Sequence, residues 1–266
     1  MRTSSAQNDN RGVKLGNYMV SGCIVTHNNM TTIAQTLETL KNCTSDENFK
    51  LYVVDNASTD GTPDFIAENY PNIEIIKNEN TGFGSGHNVV LPKLDSKYHV
   101  VINPDIILRD DVITEMTRYL DEHDDIGLLA PKICFPDGRM QVLGKRNPKI
   151  KYLVASRLRQ EGNPSELLSE YAMLDADYTK PFDIENASGC FFVIRTELFK
   201  KINGFDENFF LYFEDCDITR RVNEISRCVF YPYATVYHEW GRESKKNLRL
   251  MLVQIKSMFY YFRKWR

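Results

Sequence analysis

Residues 98–108 read YHVVINPDIIL, and the fold turns on how that stretch is parsed. Val100, Val101 and Ile102 form a β-branched run with the composition of a buried strand. Asn103-Pro104-Asp105 stops it, because Pro104 has no N–H to give to a ladder. This parse puts Asp105 at the carboxyl end of a central strand, where open α/β sheets bind their ligands. A lone carboxylate beside a diphosphate suits a hard divalent cation such as Mg²⁺ or Mn²⁺, which shares its shell among protein, phosphate oxygens and water. The alternative is a strand followed by a proline turn, with Asp105 capping a helix that begins near Asp110.

Outward from this stretch, towards the N-terminus, the chain alternates strand and helix. Tyr18 to Thr26 reads as a first strand and runs into His27-Asn28-Asn29. Ile33, Leu37 and Leu40 then give a helix its apolar stripe. Phe49 to Val54 is a second strand ending in Asp55-Asn56-Ala57-Ser58, and Thr62-Pro63 open the next helix. Ile73 to Ile76 is a third strand, followed by a glycine-rich loop and a helix to about Leu94. After the fourth strand, YHVVI, comes a helix over about 110–120. The alternation predicts an α/β fold with a mostly parallel sheet and helices on both faces. Three loops at strand carboxyl ends carry His27/Asn28, Asp55/Ser58 and Asn103/Asp105, a convergence that suits a nucleotide pocket.

After Ile126 the pattern changes. Phe135 to Gly138 is a turn signal between extended runs. Residues 145–180 give no assignable element, and Glu161-Gly162-Asn163-Pro164 reads as a loop. Phe191 to Ile194 is a buried strand, Ile218, Val222 and Ile225 form a helical face, and Val229 to Tyr237 is extended, with His238 after it. Residues 1–17 lack periodicity and read as a flexible lead-in. No linker or repeat divides the rest. One domain over 18–241 is expected, in halves of about 18–125 and 126–241, followed by a basic C-terminal helix over 242–266.

Composition narrows the class. A net charge of -3 over 266 residues gives no pull towards nucleic acid, and no nucleic-acid motif appears. The six cysteines at 23, 43, 134, 190, 216 and 228 are widely spaced with no CxxC pair, a usage that fits a reducing cytosol. No apolar run reaches the length of a membrane span, and the polar N-terminus does not read as a signal peptide.

Three further features carry chemistry. Gly82-Phe83-Gly84-Ser85-Gly86-His87 is close to a dinucleotide fingerprint but ends in His, and no acidic residue lies at the distance that would hold a ribose. A tight turn or a pocket wall fits it better. Glu214-Asp215-Cys216-Asp217 gathers three carboxylates behind Phe209, Phe210, Tyr212 and Phe213. Crowding and desolvation would raise a carboxyl pKa, as a base for an alcohol nucleophile requires. The alternative is helix capping. His238 is either a surface residue or, with Asp105, half of a two-ligand cation site.

Taken together, VVDNASTDG (53–61), ENTGFGSGHN (79–88), INPD (102–105), NASGCFFVIR (186–195), GFDENFFLYFEDCD (204–217) and the late His resemble the inverting, metal-dependent glycosyltransferases of family two. The pattern is most similar to the rhamnosyltransferase-like enzymes of bacterial surface polysaccharide synthesis such as that of O-antigen, and it covers about 18–260 in the family's order. The resemblance implies a GT-A fold, a nucleotide-binding half fused to an acceptor-binding half. It implies that Thr26, His27, Asn28, Asp55 and Ser58 line the base and ribose pocket, with Asn80 and Gly82 on its wall and Asn103 nearer the ribose. It implies Asp105 as metal ligand, His238 as metal or diphosphate contact, and Asp215 as base with Glu214 beside it. Asn103 departs from the family's Asp-x-Asp, and Glu224-Ile225-Ser226-Arg227 stands where a Gly is usual. The implied reaction moves rhamnose or another hexose from a dTDP- or UDP-sugar to a hydroxyl of a saccharide or lipid-linked saccharide, with Mg²⁺ or Mn²⁺, in the cytoplasm or at the inner face of the plasma membrane. The rival is a non-catalytic GT-A-like scaffold.

The last stretch adds a possible surface. From Arg242 to Arg266 there are eight Lys or Arg and one acid, Glu243. Leu248, Leu252, Ile255, Phe259 and Phe262 share one helical face. Such a helix either lies on an anionic membrane or packs that face on the domain.

Overall fold

The computed structural model describes residues 19–44, 48–157, 165–239 and 247–266. The β-branched run lies in β4 (Tyr98–Ile102), buried throughout. It joins β1 (Val20–Thr26), β2 (Phe49–Asn56) and β3 (Glu74–Asn78) in a parallel set ordered β3-β2-β1-β4. Between these strands run α1 (Ile33–Cys43), α2 (Thr62–Asn69) and α3 (Phe83–Asn88), and α4 (Val112–Asp121) follows β4. Asp111 caps α4, accepting the Thr114 N–H at 3.1 Å, so Asp105 has no capping role there.

The second half supplies β6 (Ile126–Cys134), α5 (Ile150–Arg157), α6 (Glu166–Ala172), β7 (Phe182–Asp183), β8 (Phe191–Arg195) and α7 (Thr196–Lys201). It ends with α8 (Glu214–Asn223), β9 (Arg227–His238) and α9 (Leu248–Lys264). β8 inserts antiparallel between β4 and β6, and β9 runs parallel to β6. The Glu161–Pro164 loop, the 1–17 lead-in and residues 240–246 lie outside the described residues.

Sheet faces follow the two-residue period of a strand. Ile24, Val53, Val100, Ile102 and Val193 meet Leu37 of α1 and Met116 and Leu120 of α4. Val25, Val54, Val101, Phe192 and Ile194 point the other way, onto Phe199 of α7 and Ile218 and Val222 of α8. A third cluster docks α9 through Tyr261 onto Phe209, Phe213 and Cys216, with Leu153 of α5 beside it.

Besides α5 and α6, the sequence did not announce β5 (Ile106–Ile107), which pairs antiparallel with the end of β9, Ile106 opposite His238. Sheet order places β5 beyond β8, β6 and β9, four strand spacings from β4. In a flat sheet that separation is about 19 Å. The four residue steps from Ile102 to Ile106 span at most about 14 Å. The sheet therefore curls, and the curl carries the C-terminus of β9 back to the C-terminus of β4.

Candidate active site

The curl sets His238 against Asp105, with Nε2 3.2 Å from Oδ2. Gln141 fixes the backbone behind it, its amide donating to the carbonyl oxygens of His238 at 2.6 Å and Cys134 at 3.3 Å. On the other side the Asn103 N–H donates to the Cys190 carbonyl at 2.8 Å, which ties the start of β8 to the Asn-Pro-Asp turn. One residue before Cys190, Gly189 meets the first turn of α8.

That turn carries the second carboxylate. Asp215 accepts N–H bonds from Gly189 at 3.1 Å and Cys216 at 2.8 Å. Gly189 allows this close approach, since a Cβ there would stand 3.0 Å from that of Asp215. Burial raises the Asp215 pKa, and the two N–H bonds oppose that rise. Burial pushes Glu214 well above the usual range, and the Asp215 charge adds to it. Glu214 is thereby the group that keeps a proton and Asp215 the one that ionises. Asp217, the third acid, is wholly buried and paired with Arg221 at 2.8 Å and Lys264 at 2.7 Å, and it accepts the Trp265 indole N–H at 2.8 Å. It holds α9 against α8 and is not a spare base.

The loops that follow β1 and β2 are bound to each other. The Thr26 hydroxyl and the Ser58 N–H donate to the two oxygens of buried Asp55, each at 3.1 Å. The Asn28 N–H donates to Ser58 Oγ at 2.9 Å, and the Thr59 N–H to Asn28 Oδ1 at 2.8 Å. Asn28 and Ala57 take left-handed conformations to make this contact. His27 donates to the Asn56 carbonyl at 2.7 Å. These side chains form one wall at the carboxyl ends of β1 and β2. Asn80 is exposed. The β3–α3 loop is held instead by Asn56, whose amide donates to the Gly82 carbonyl at 3.1 Å and whose oxygen accepts from Asn78 at 2.9 Å.

The glycine-rich stretch is a packing surface. Gly82 has φ 126°, and a Cβ there would stand 2.5 Å from the Phe210 carbonyl, which accepts the Phe83 N–H at 2.9 Å. It lets the aromatic 204–213 segment lie against the β3–α3 loop. His87 is buried between Phe83 and Phe205, and burial holds its pKa far below the ordinary value. It acts as an apolar spacer.

Buried polar atoms without partners outline the site. Among the described residues such side-chain atoms belong to Asn103, Asp105, Gln141, Asn186, Glu214 and His238, and otherwise to the core histidines His87 and His99. Six unsatisfied buried groups are costly unless something polar meets them. Gln141 and Asn186 were missed by sequence reading; Asn186 stood within a quoted motif with no role, and nothing in the sequence marked Gln141 as buried.

Comparison with known proteins agrees with this architecture. The family model for glycosyl transferase family 2 matches residues 21–203. Mannosyltransferase PcManGT from Pyrobaculum calidifontis, solved with GDP-Man and Mn²⁺, superposes with TM-score 0.64 at 16% identity, over 92% of this chain and 64% of that one. TarS of S. aureus superposes with TM-score 0.61 at 18% identity; 82% of this chain matches 36% of TarS. The fold is GT-A, a curled, mostly parallel sheet with helices on both faces. The chain belongs to glycosyl transferase family 2. Among curated relatives, the N-acetylglucosaminyl-diphospho-decaprenol L-rhamnosyltransferase of Mycobacterium tuberculosis is 26% identical over 239 residues, covering 79% of this chain and 73% of that protein. Rhamnosyltransferase WbbL of Escherichia coli K12 is 26% identical over 220 residues, covering 77% of each.

Proposed function

We propose that this chain transfers rhamnose or a related hexose from a dTDP- or UDP-sugar to a hydroxyl of a lipid-linked saccharide, with inversion, in cell-surface polysaccharide synthesis. The observation that carries the reading is the buried acid pair at the start of α8, where burial raises both carboxyls, Glu214 the further, and two N–H donors hold Asp215 as a proton acceptor. Asp215 takes the acceptor hydroxyl's proton as its oxygen attacks the anomeric carbon. The names of the two rhamnosyltransferase relatives support the sugar, and the first supports a diphospholipid acceptor.

Asp105 and His238 fit a divalent cation. Asp105 Oδ1 is buried without a partner, and no group of three His, Cys, Asp or Glu forms a cage among the described residues. A two-residue donor set suits an ion shared with a diphosphate. Bound there, Mg²⁺ or Mn²⁺ supplies Lewis-acid compensation for the leaving diphosphate.

The test is release of nucleoside diphosphate from a panel of nucleotide sugars, with acceptor, in Mn²⁺ and in chelator. Acceptor-dependent, chelator-sensitive release is expected. Nucleotide binding with no turnover of any donor would favour the scaffold reading.

A lipid-linked acceptor would be met at a membrane surface, and α9 suits such a surface. No helix among the described residues is long and apolar enough to cross a membrane. Tyr261 and Ser257 form the packed side of α9, while Leu248, Leu252 and Phe259 are 67%, 58% and 68% exposed. Ile150 and Val154 of the neighbouring α5 are exposed as well, and Arg157 bonds Met251 Sδ at 3.0 Å to join the two helices. Residues 247–266 contain five Lys or Arg and no acid. An outward apolar stripe flanked by cations suits an anionic bilayer, with about 1 kcal/mol from each basic residue near it. Sedimentation with anionic vesicles at low salt should pellet the full chain and release the Leu252→Asp/Phe259→Asp variant. Equal pelleting of the two, or none, would reduce α9 to a packed helix.

A further inference from the structure

Lys145 is 4% exposed, a burial that lysine seldom tolerates without a counter-ion. Its main chain is fixed from both sides. The N–H donates to the Tyr171 carbonyl at 2.9 Å, and the carbonyl accepts the N–H groups of Glu185 and Asn186 at 2.8 and 2.9 Å. The ammonium lies 4.8 Å from the centroid of the Phe230 ring. Among the described residues no carboxylate pairs with it; the nearby cation Arg146 takes Glu185 instead. A face of Phe230 offsets part of the lost hydration and leaves the rest unmet.

The backbone that holds Lys145 leads to the active site, since three residues after Asn186 the Gly189 N–H donates to Asp215 at 3.1 Å. The Cys190 thiol feels the Lys145 ammonium together with the Asp105 and Asp215 carboxylates, burial being the largest influence on it. Asn186, whose N–H holds the Lys145 carbonyl, and Gln141, which holds His238, both keep buried side-chain oxygens without partners. Burial lowers the Lys145 pKa to about 8, so it is still largely charged at neutral pH. A cation kept in this state is costly to the empty protein and is repaid only by an anion that arrives with the substrate.

We propose that Lys145 is a diphosphate-binding cation of this site. The inference rests on the transfer reading, in which donor and acceptor each carry a diphosphate, and it names the protein group that meets one of them. It adds a positive charge to a site otherwise lined by acids.

Calorimetry with inorganic pyrophosphate and Mn²⁺ tests it, using the full chain, Lys145→Met and Asp105→Ala. Lys145→Met should bind pyrophosphate at least tenfold more weakly than the parent. It should also melt, without ligand, at or above the parent's midpoint, because an unpaired buried charge has been removed; a purely structural lysine would lower it. Repeating the titration with UDP and with a short alkyl diphosphate assigns the source. Loss confined to UDP puts Lys145 on the donor, and loss confined to the alkyl diphosphate puts it on the acceptor. Pyrophosphate affinity within twofold of the parent's would overturn the proposal, even where Asp105→Ala weakens binding and the transfer reading stands. Loss in Lys145→Met from a chain that turns over no donor would instead retain the cation and remove the transferase.

Discussion

Asp215→Asn separates the chemistry from the architecture. The carboxylate accepts two N–H bonds, from Gly189 and Cys216. An asparagine offers one carbonyl oxygen and turns an NH₂ towards the other donor. One buried N–H is then unpaired, at about 1–3 kcal/mol. Against this, the variant no longer buries a charge whose raised pKa shows that the site disfavours it. The two effects oppose, so the net change in stability should stay within about 1–2 kcal/mol, a shift of a few degrees in midpoint. The rate has no such compensation. Removing a positioned base costs about two to four orders of magnitude, or about 2.7–5.5 kcal/mol of barrier. Single-turnover transfer should show the loss while calorimetric affinity for nucleoside diphosphate stays within threefold. In the parent, activity should rise with pH through the raised pKa of Asp215, since only the ionised form accepts the proton. Glu214→Gln should keep its rate within tenfold, because Glu214 is already the protonated partner. A turnover of Asp215→Asn within threefold of the parent's would refute the assignment, as would a Glu214→Gln variant that fails where Asp215→Asn works.

Other outcomes follow from the same contacts. Asp105→Ala should abolish divalent-metal dependence and most nucleoside-diphosphate affinity at little cost in stability, since the side chain is partly exposed and His238 stays held by Gln141; unchanged Mn²⁺-assisted binding by calorimetry would remove Asp105 from the site. Asp217→Asn should destabilise the fold by about 3 kcal/mol in urea, the low end for a broken buried pair because Arg221 and Lys264 keep other partners. Acid should loosen the C-terminal helix. Burial works to raise the Asp206 pKa, but bonds from Lys264, Asn208 and Tyr260 hold it down at about 2. A depressed carboxyl contributes stability above its unfolded pKa of about 3.9 and loses it as pH falls towards the folded value. Trp265 fluorescence in a Trp240→Phe background should therefore change between about pH 4 and about pH 2, ahead of any loss of far-ultraviolet helix signal; a single coincident transition would show that α9 has no separate acid response.

The first half of the chain was legible because its strands are buried and local. Val100-Val101-Ile102 and its counterparts form continuous β-branched runs, each followed by a helix whose stripe, such as Ile33, Leu37 and Leu40, faces the sheet. The 145–180 stretch failed for the opposite reason. In α5 the apolar residues Ile150 and Val154 point outward while Tyr152 is buried, so no stripe marks a core face. The C-terminal helix shows how far periodicity goes. Its stripe predicted a helix correctly, yet α9 docks by Tyr261, Ser257 and the Lys264 and Trp265 contacts to Asp217, leaving most of the stripe outside. A hydrophobic face is therefore evident in the sequence, but its partner is decided by polar anchors far away in the chain.

The site's two carboxylates differ in the same way. The motif could place Asp215 at a helix start, because helix position is local. Which of three neighbouring acids stays ionised depends on Gly189, 26 residues away, and on Lys264, which removes Asp217 from contention. Asp105 meets His238 only because a two-residue strand, β5, closes a curled sheet against β9. Two residues carry no periodicity, so no pattern could announce that strand. The chain length between Ile102 and Ile106 imposes the curl once the β4-β8-β6-β9 order exists, and that order is set by non-local pairing. The late histidine thus reaches the Asn-Pro-Asp turn as a consequence of strand order, and a change that broke the β5–β9 ladder would separate the pair without touching either side chain.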